Sequence, residues 1–441
     1  IVHCALCIKE VKTKVFGLLI LMESLFMLIV TAYAVGCHVM YGESDYSAFA
    51  ASTLLTAAVG YFLFFTGSHA EQRQLSRRDC YLIVAVVWAV FSFFGMMPYV
   101  AYGTVDNFTD AFFEAMSGFT TTGATVLDNI DEQPHGILLW RCLSHWMGGL
   151  GIVVFSFALI PVYELKNTNM FSAEVTGLSV DKLRPKIGAT ARRLLVIYAL
   201  VSAVCAAIYY VEGMSLFDAV CHAMSTIATG GFSTHQASIA WFDSPLIEYR
   251  CTVFMVLSGI NFSLYYHASI GRWEVLWRNE EMRVYLGVVA GFSVLCVLLF
   301  YHGAVADVAD VVQSTLPVWF EQTLRASVFH VASIITSTGF SASCYDYVGW
   351  GTTFFLPTIM LMCIGACAGS TGGGIKIIRI MVAVKDSFNE FKLHLHPRAV
   401  LLVRFGGMVL EETKVMRALA FIFLYILLLV ISVFLLSLTG M

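Results

Sequence analysis

Charge is what this chain has least of. Asp, Glu, Lys and Arg make up 13% of its 441 residues, where a soluble domain carries roughly 25%. One large core cannot hide the shortage, because soluble cores stop growing near ~250–300 residues. Lipid must therefore cover part of the surface of a chain that is 59% hydrophobic. An excess of base is lacking too. The net charge of −4 argues against nucleic-acid binding. The 12 cysteines are scattered through apolar stretches, as at Cys205, Cys296 and Cys363. That is how small buried hydrophobes are distributed, and it excludes a disulfide framework. Cys4 and Cys7 form one CxxC with neither a second pair nor a His cluster beside it, so no zinc site is expected there. HExxH, GxSxG and a carboxylate pair within one apolar segment are all missing, so an enzyme is not expected. The chain opens on Ile1 and shows no secretory signal.

What is present is a series of long apolar runs. A spanning helix needs about 20 apolar residues. Candidates fall at 15–35, 48–66, 81–102, 138–160, 194–212, 248–270, 284–302, 350–378 and 418–439. Basic residues set the orientation. Lys9, Lys12, Lys14, Arg73, Arg77, Arg78, Lys166, Lys182, Arg184, Lys186, Arg272, Arg278 and Lys385 occupy loops of one side, which should be cytoplasmic. The opposite loops hold Asp106, Asp110, Asp128, Asp131, Asp243, Asp307 and Asp310.

Between the spans lie three shorter segments, near 109–122, 217–230 and 325–338, each ending in a Thr/Ser/Gly cluster. They are expected as half-membrane helices too short to span. Written out they are DAFFEAMSGFTTTGAT (110–125), DAVCHAMSTIATGGFS (218–233) and ASVFHVASIITSTGFS (326–341). They align without gaps on Gly123, Gly231 and Gly339, which lie 108 residues apart. Ser117, Ser225 and Ser333 stand six before each Gly. One such cluster would be an ordinary helix cap. Three in register mark an internally repeated fold.

Each repeat reads as outer helix, pore helix, Gly-centred loop and inner helix. A dehydrated cation needs oxygen ligands in place of water. Main-chain carbonyls supply them where Gly permits unusual dihedrals, and pore-helix C-termini favour positive charge. No Arg or Lys lies in the three stretches, which disfavours an anion pore. The candidate filter residues are Thr122, Gly123, Gly230, Gly231, Thr338 and Gly339. A fourth Gly is expected near position 447, past the end of the chain, so repeat 4 is expected to be truncated and the chain to be a fragment.

The stretch GACAGSTGGGIKIIR (365–379) places several glycines inside a span. Each costs roughly 1 kcal/mol against Ala in a helix, so the helix should unwind. It is not a phosphate loop, because Ile375 stands where Lys would be needed. Tight helix packing through small residues is one reading. The other is a mobile gate, formed by Gly369, Ser370, Thr371, Gly372, Gly373, Gly374 and Lys376, with Lys376 and Arg379 at its cytoplasmic end. His222 and His330, with Glu114 in the first repeat, are expected to support the pore helices. Asn261, His267 and His145 are expected either to line a pathway or to pack.

SGFTTTGATV (117–126), ATGGFSTH (228–235), SGINFSLYYH (258–267), ITSTGF (335–340) and GACAGSTGGGIKIIR together resemble the TrkH/KtrB superfamily of potassium transporters, on its TrkH side. The resemblance covers nearly the whole chain. It implies an all-α membrane protein of repeated M1–pore helix–M2 units around a central pore, with two extra N-terminal helices. The implied divisions are 1–80 for the N-terminal helices, 81–193, 194–283 and 284–417 for repeats 1 to 3, and 418–441 for the start of repeat 4. It also implies potassium as transported ion, no organic cofactor, a homodimer in lipid, and a cytosolic nucleotide-binding regulatory ring of the TrkA kind. The implied location is the cell membrane, multi-pass, in bacteria the inner membrane. Ser at the first filter Gly goes with sodium selectivity in related plant transporters, so Gly at all three positions implies the potassium form. Two alternatives remain: a sodium or mixed cation pathway, and a non-conducting membrane sensor if 441 is the natural end.

Overall fold

The structure is a computed structural model that describes residues 2–67, 77–149, 151, 187–301, 316–342 and 352–439. Six helices among the described residues are long and apolar enough to cross a membrane: Lys12–Tyr41, Tyr46–Thr66, Tyr81–Tyr102, Ala191–Val211, Glu280–Phe300 and Glu412–Ser437. The loop residues Arg73, Lys166, Lys182, Arg184, Lys186, Asp307 and Asp310 lie outside the described residues, as does the end of the span expected over 138–160. So do the side chains of Cys4 and Cys7.

The chain divides into two compact units. The first is Ile1–Ser258 with Thr338–Asp346. Its helices α1 (Val2–Tyr41) and α2 (Tyr46–Thr66) pack along each other. A Cβ on Gly17 would fall 2.3 Å from the backbone N of Phe64, an approach that only the smallest residues permit. Helix α3 (Arg77–Gly95) follows, tied to α1 by Lys12–Asp79 at 2.6 Å. The span expected over 81–102 is present, interrupted for one residue at Met96, where Pro98 opens the short α4 (Met97–Tyr102). Proline is tolerated in a first turn, where its missing N–H is not needed. Next come the short α5 (Phe108–Phe119), α6 (His135–Gly149), α7 (Ile187–Val211), the short α8 (Leu216–Ala228) and α9 (Pro245–Ser258). Helix α8 packs on α6, α7 and α9. Phe49, Phe91, Phe119 and Trp140 form the aromatic centre of the core, with Trp140 Nε1 donating to Gly95 O at 2.9 Å.

The second unit is Gly259–Ser337 with Tyr347–Met441. It holds α10 (Phe262–Ser269), α11 (Trp273–Arg278), α12 (Glu280–Tyr301), α13 (Leu316–Ile335), α14 (Thr352–Ile364), α15 (Ile377–Leu395) and α16 (Glu412–Ser437). A two-stranded hairpin (Arg404–Phe405, Met408–Val409) precedes α16.

Three expectations change here. The helix expected over 248–270 breaks after Ser258, and Asn261 caps the new one by accepting from Ser263 N at 2.8 Å. The span expected over 350–378 ends at Ile364 and resumes as helix only at Ile377, with the Gly-rich stretch unwound between. The third short segment is not short. Helix α13 begins at Leu316 and has 20 residues, its upstream turns supported by Glu321–Arg325 at 3.3 Å, an i,i+4 pair that a hydropathy reading passes over.

Candidate functional site

The three Gly-centred loops share one backbone signature. Thr121, Thr229 and Ser337 have φ of 54°, 55° and 57°. Two residues on, Gly123, Gly231 and Gly339 have φ of 75°, 87° and 82°. Left-handed backbone costs a non-glycine residue roughly 1–2 kcal/mol, so holding Thr, Thr and Ser there needs local compensation. Part of it is a helix-ending turn. Thr122 N and Gly230 N donate back to Ser117 O and Ser225 O, both at 2.9 Å, and Thr121, Thr229 and Ser337 N donate to Gly118, Thr226 and Ile334 O. That is a Schellman turn, which ordinarily carries glycine at its first left-handed residue. Here the glycine comes two residues later, so a simple cap does not account for it.

Close approach between loops does. A Cβ on Gly123 would fall 1.8 Å from Gly230 O, and one on Gly231 would fall 2.0 Å from Thr338 O. Each of these carbonyls abuts the glycine of the preceding loop. The six residues Thr122, Gly123, Gly230, Gly231, Thr338 and Gly339 therefore lie together in the first unit. The N–H groups of Thr122 and Gly230 turn back to the short helices before them, and the Gly230 and Thr338 carbonyls stand at the approach between loops.

Behind these loops is a buried ion pair that the sequence reading missed. Arg141 Nε donates to Glu114 Oε1 at 2.8 Å, and both residues are fully buried. The same guanidinium donates to Ser233 O at 3.2 Å and Thr125 Oγ1 at 3.1 Å, and lies 4.2 Å over the Phe232 ring. Glu114 also accepts from Thr125 Oγ1 (3.0 Å) and Val126 N (3.1 Å). One side chain of α6 thus joins the first pore helix to the exits of two loops. The available signal was an arginine inside an apolar run, itself a mark of function; its partner 27 residues away is decided by packing. In the second repeat His222 takes the place of Glu114, with Nε2 2.9 Å from Ser233 Oγ. His330 lies 3.4 Å from Thr358 Oγ1. His145 stacks on Phe232 at 4.1 Å and fills the space beside Gly230.

In the second unit the Gly-rich loop is held at many points. Gly369 O accepts from Phe262 N, Gly259 O from Cys367 N, and Cys363 O from Ile375 N, each at 3.0 Å. Glu281 Oε1 accepts from Ala368 N, and Ser337 Oγ from Gly373 N, both at 2.6 Å. Lys376 closes the loop as the residue before α15. It is buried, with φ of 72°, and its ammonium turns back into the loop to donate to Ser370 O, Ser370 Oγ and Gly372 O. The positive φ of Lys376 reverses the chain before α15, which sends its side chain inward. Arg379 donates from Nη1 to Ile375 O at 2.9 Å and lies 4.0 Å over the Phe421 ring. Asn261 packs against Gly369.

At the outer end of α8, His235 Nδ1 is 2.8 Å from Asp131 and its Nε2 is 3.6 Å from Asp218. Thr234 and Ser215 also donate to Asp218, at 2.6 and 2.7 Å. Burial pulls the His235 imidazole down, but its bonds to Asp218 and Asp131 outweigh that and hold it above the ordinary value. Burial likewise opposes ionisation of Asp218, yet the hydrogen bonds from His235, Thr234 and Ser215 hold it well below the usual carboxylate range.

Two outcomes are expected. Arg141→Met leaves Glu114 buried without its cation, which costs about 3–5 kcal/mol. Its Tm in detergent should fall, and adding Glu114→Gln should recover part of the loss; equal Tm for wild type and Arg141→Met would contradict the brace. For the outer cluster, the His235 contribution is complete below ~6.5, its unfolded pKa, and is lost as pH rises through the higher folded value; the Asp218 contribution is complete above ~3.9 and is lost as pH falls through the lower folded value. The Tm difference between wild type and His235→Gln should therefore be largest between about pH 4 and 6.5 and should shrink toward pH 9. A difference constant with pH would show that His235 is not charged in the cluster.

Known proteins share this design. The family model described as TrkH, cation transport protein, matches residues 46–441. The Trk system potassium uptake protein TrkH of Salmonella typhimurium is 36% identical over 434 residues, covering 97% of this chain and 86% of that protein. The Trk system potassium uptake protein TrkG of Escherichia coli K12 is 33% identical over 437 residues, covering 98% and 85%. The crystal structure of the potassium transporter TrkH from Vibrio parahaemolyticus superposes with a TM-score of 0.84 at 31% identity, covering 98% of this chain and 86% of that one. Sequence and fold agree, and the apolar helices make this a multi-pass membrane protein, with the bacterial inner membrane the setting that fits. The chain belongs to the TrkH family of cation transport proteins, potassium transporters of the Trk kind rather than enzymes.

Proposed function

We propose that potassium crosses through a central pore whose narrowest part is ringed by the carbonyls of Thr122, Gly123, Gly230, Gly231, Thr338 and Gly339. The observation that carries this is the threefold repeat of the left-handed pair, with the Gly230 and Thr338 carbonyls each seated against the glycine of the preceding loop. Carbonyl rings replace the hydration shell of a cation. Irregular backbone at that depth is tolerated only where protein or a water-filled path surrounds it. The proposed layout is two N-terminal helices followed by pore repeats over 81–193, 194–283 and 284–417 and the first helix of another from 418. A homodimer and a cytosolic nucleotide-binding regulatory subunit are proposed from the family resemblance.

The loop of Gly369, Ser370, Thr371, Gly372, Gly373, Gly374 and Lys376 is proposed as the gate. Two features support it. The loop donates to Ser337, the residue next to Thr338 in the chain. Its hold on itself is polar, through Lys376, rather than through packed side chains. Polar contacts of this sort can be exchanged for water when the pore is hydrated.

The test of conduction is Rb⁺ uptake into proteoliposomes carrying the full-length gene product, with K⁺ and Na⁺ as competitors. Inhibition by K⁺ but not by equal Na⁺ is the expected result; equal inhibition would make the pathway a mixed one, and no uptake by folded protein would support a sensor. Shortening 369–374 by two residues should raise Rb⁺ flux several-fold. Unchanged or lower flux in a variant that folds would remove the loop from gating.

A further inference from the structure

A second cluster of ion-binding chemistry lies away from the loops. Cys37 is in the last turn of α1, Glu43 is in the turn between α1 and α2, and His135 is the first residue of α6. The basic residues of the opposite loops place these ends on the outer side. One ligand atom from each residue lies within 4.8 Å of the other two. The arrangement is held in place. His135 N donates to Glu43 Oε2 at 3.1 Å, and His135 Nδ1 is 2.5 Å from Glu43 Oε1. The imidazole stacks on Tyr41 and meets the edge of Phe217. His38 Nδ1 lies 2.6 Å from the Glu43 carbonyl. The Cys37 thiol is buried, with the Tyr33 hydroxyl beside it.

Asp45 supplies an independent observation. It is fully buried, and neither carboxylate oxygen makes a hydrogen bond of normal geometry. It feels the charges of Glu43 and His135, and acts in turn on Cys37. Gly136 leaves it room: a Cβ there would fall 2.1 Å from Asp45 Oδ2. The His135–Glu43 hydrogen bond accounts for those two residues alone. The buried Asp45 carboxylate beside them has no hydrogen bond of normal geometry on either oxygen.

We propose that Cys37, Glu43 and His135 form a zinc site on the outer face, with the Asp45 carboxylate completing the ligand charge. Thiolate, imidazole and carboxylate together suit Zn²⁺, whereas potassium, magnesium and calcium take oxygen ligands. Binding removes the Cys37 thiol proton to water, and the imidazole keeps its one proton on the nitrogen turned away from the metal. The Tyr33 hydroxyl is placed to donate to the thiolate, an outer contact that steadies such ligands. An occupied site would clip the first helix to α6, the helix that carries Arg141.

The test is metal titration of the purified full-length protein in detergent. Calorimetry with Zn²⁺ should give one tight equivalent with at least one proton released, and Co²⁺ in its place should show a thiolate-to-metal absorption band. Cys37→Ser should abolish the band, and His135→Gln should weaken Zn²⁺ binding at least tenfold. The proposal is overturned if the wild type shows no thiolate band, or if Cys37→Ser keeps it at full strength, since other cysteines would then hold the metal. Proton release is read on the wild type alone, so it decides even if a variant does not fold: Zn²⁺ bound without proton release overturns thiolate ligation.

Discussion

Irregular backbone within a membrane has to be bonded by protein, because hydrocarbon offers its N–H and C=O groups nothing. Two parts of this chain are irregular in that sense, the Gly-centred loops and the stretch from Gly365 to Lys376. Most of the buried polar side chains described above answer to that constraint. Glu114 takes Val126 N, Arg141 takes Ser233 O, Glu281 takes Ala368 N and Ser337 takes Gly373 N. Each is a side chain giving the backbone what water would have given it.

The two solutions differ in kind. The loops of the first unit are braced by a full ion pair and by close packing of Phe232, His145 and Trp140. A charge pair buried with its hydrogen bonds completed resists rearrangement, because opening it exposes two ions to a medium of low dielectric. Rigidity of that sort suits the carbonyl ring proposed above, which would have to keep its radius. The Gly-rich stretch is held by single hydrogen bonds and one lysine folded into its own loop. The neutral bonds among these are each worth about 1 kcal/mol net, and those to the Lys376 ammonium and Glu281 carboxylate about 1.5–3 kcal/mol.

Repetition explains how the brace varies. At the position where the first repeat has Glu114, the second has His222, and both reach the hydroxyl residue two after the filter glycine, Thr125 and Ser233. The hydroxyl is the constant element and the group behind it changes. Glu114 needs a cation, and α6 supplies Arg141. His222 needs none.

Much of this was legible in the sequence. A spacing of 108 between glycines and hydroxyls at fixed offsets are local facts, and the glycine content was enough for the unwinding at 365–376. The left-handed backbone at Gly123, Gly231 and Gly339 was legible the same way, since such backbone favours glycine wherever it occurs. Three things depended on tertiary structure. Helix α13 runs longer than its hydropathy indicates, because an ion pair supports its polar turns. Lys376 faces inward, because one positive φ reverses the chain before it. Arg141 meets Glu114, and Cys37 meets His135, across 27 and 98 residues, because helix packing sets those distances. Sequence determines what each segment can be by itself, through propensity and period. Which distant side chains share a low-dielectric space is settled only when the helices have packed.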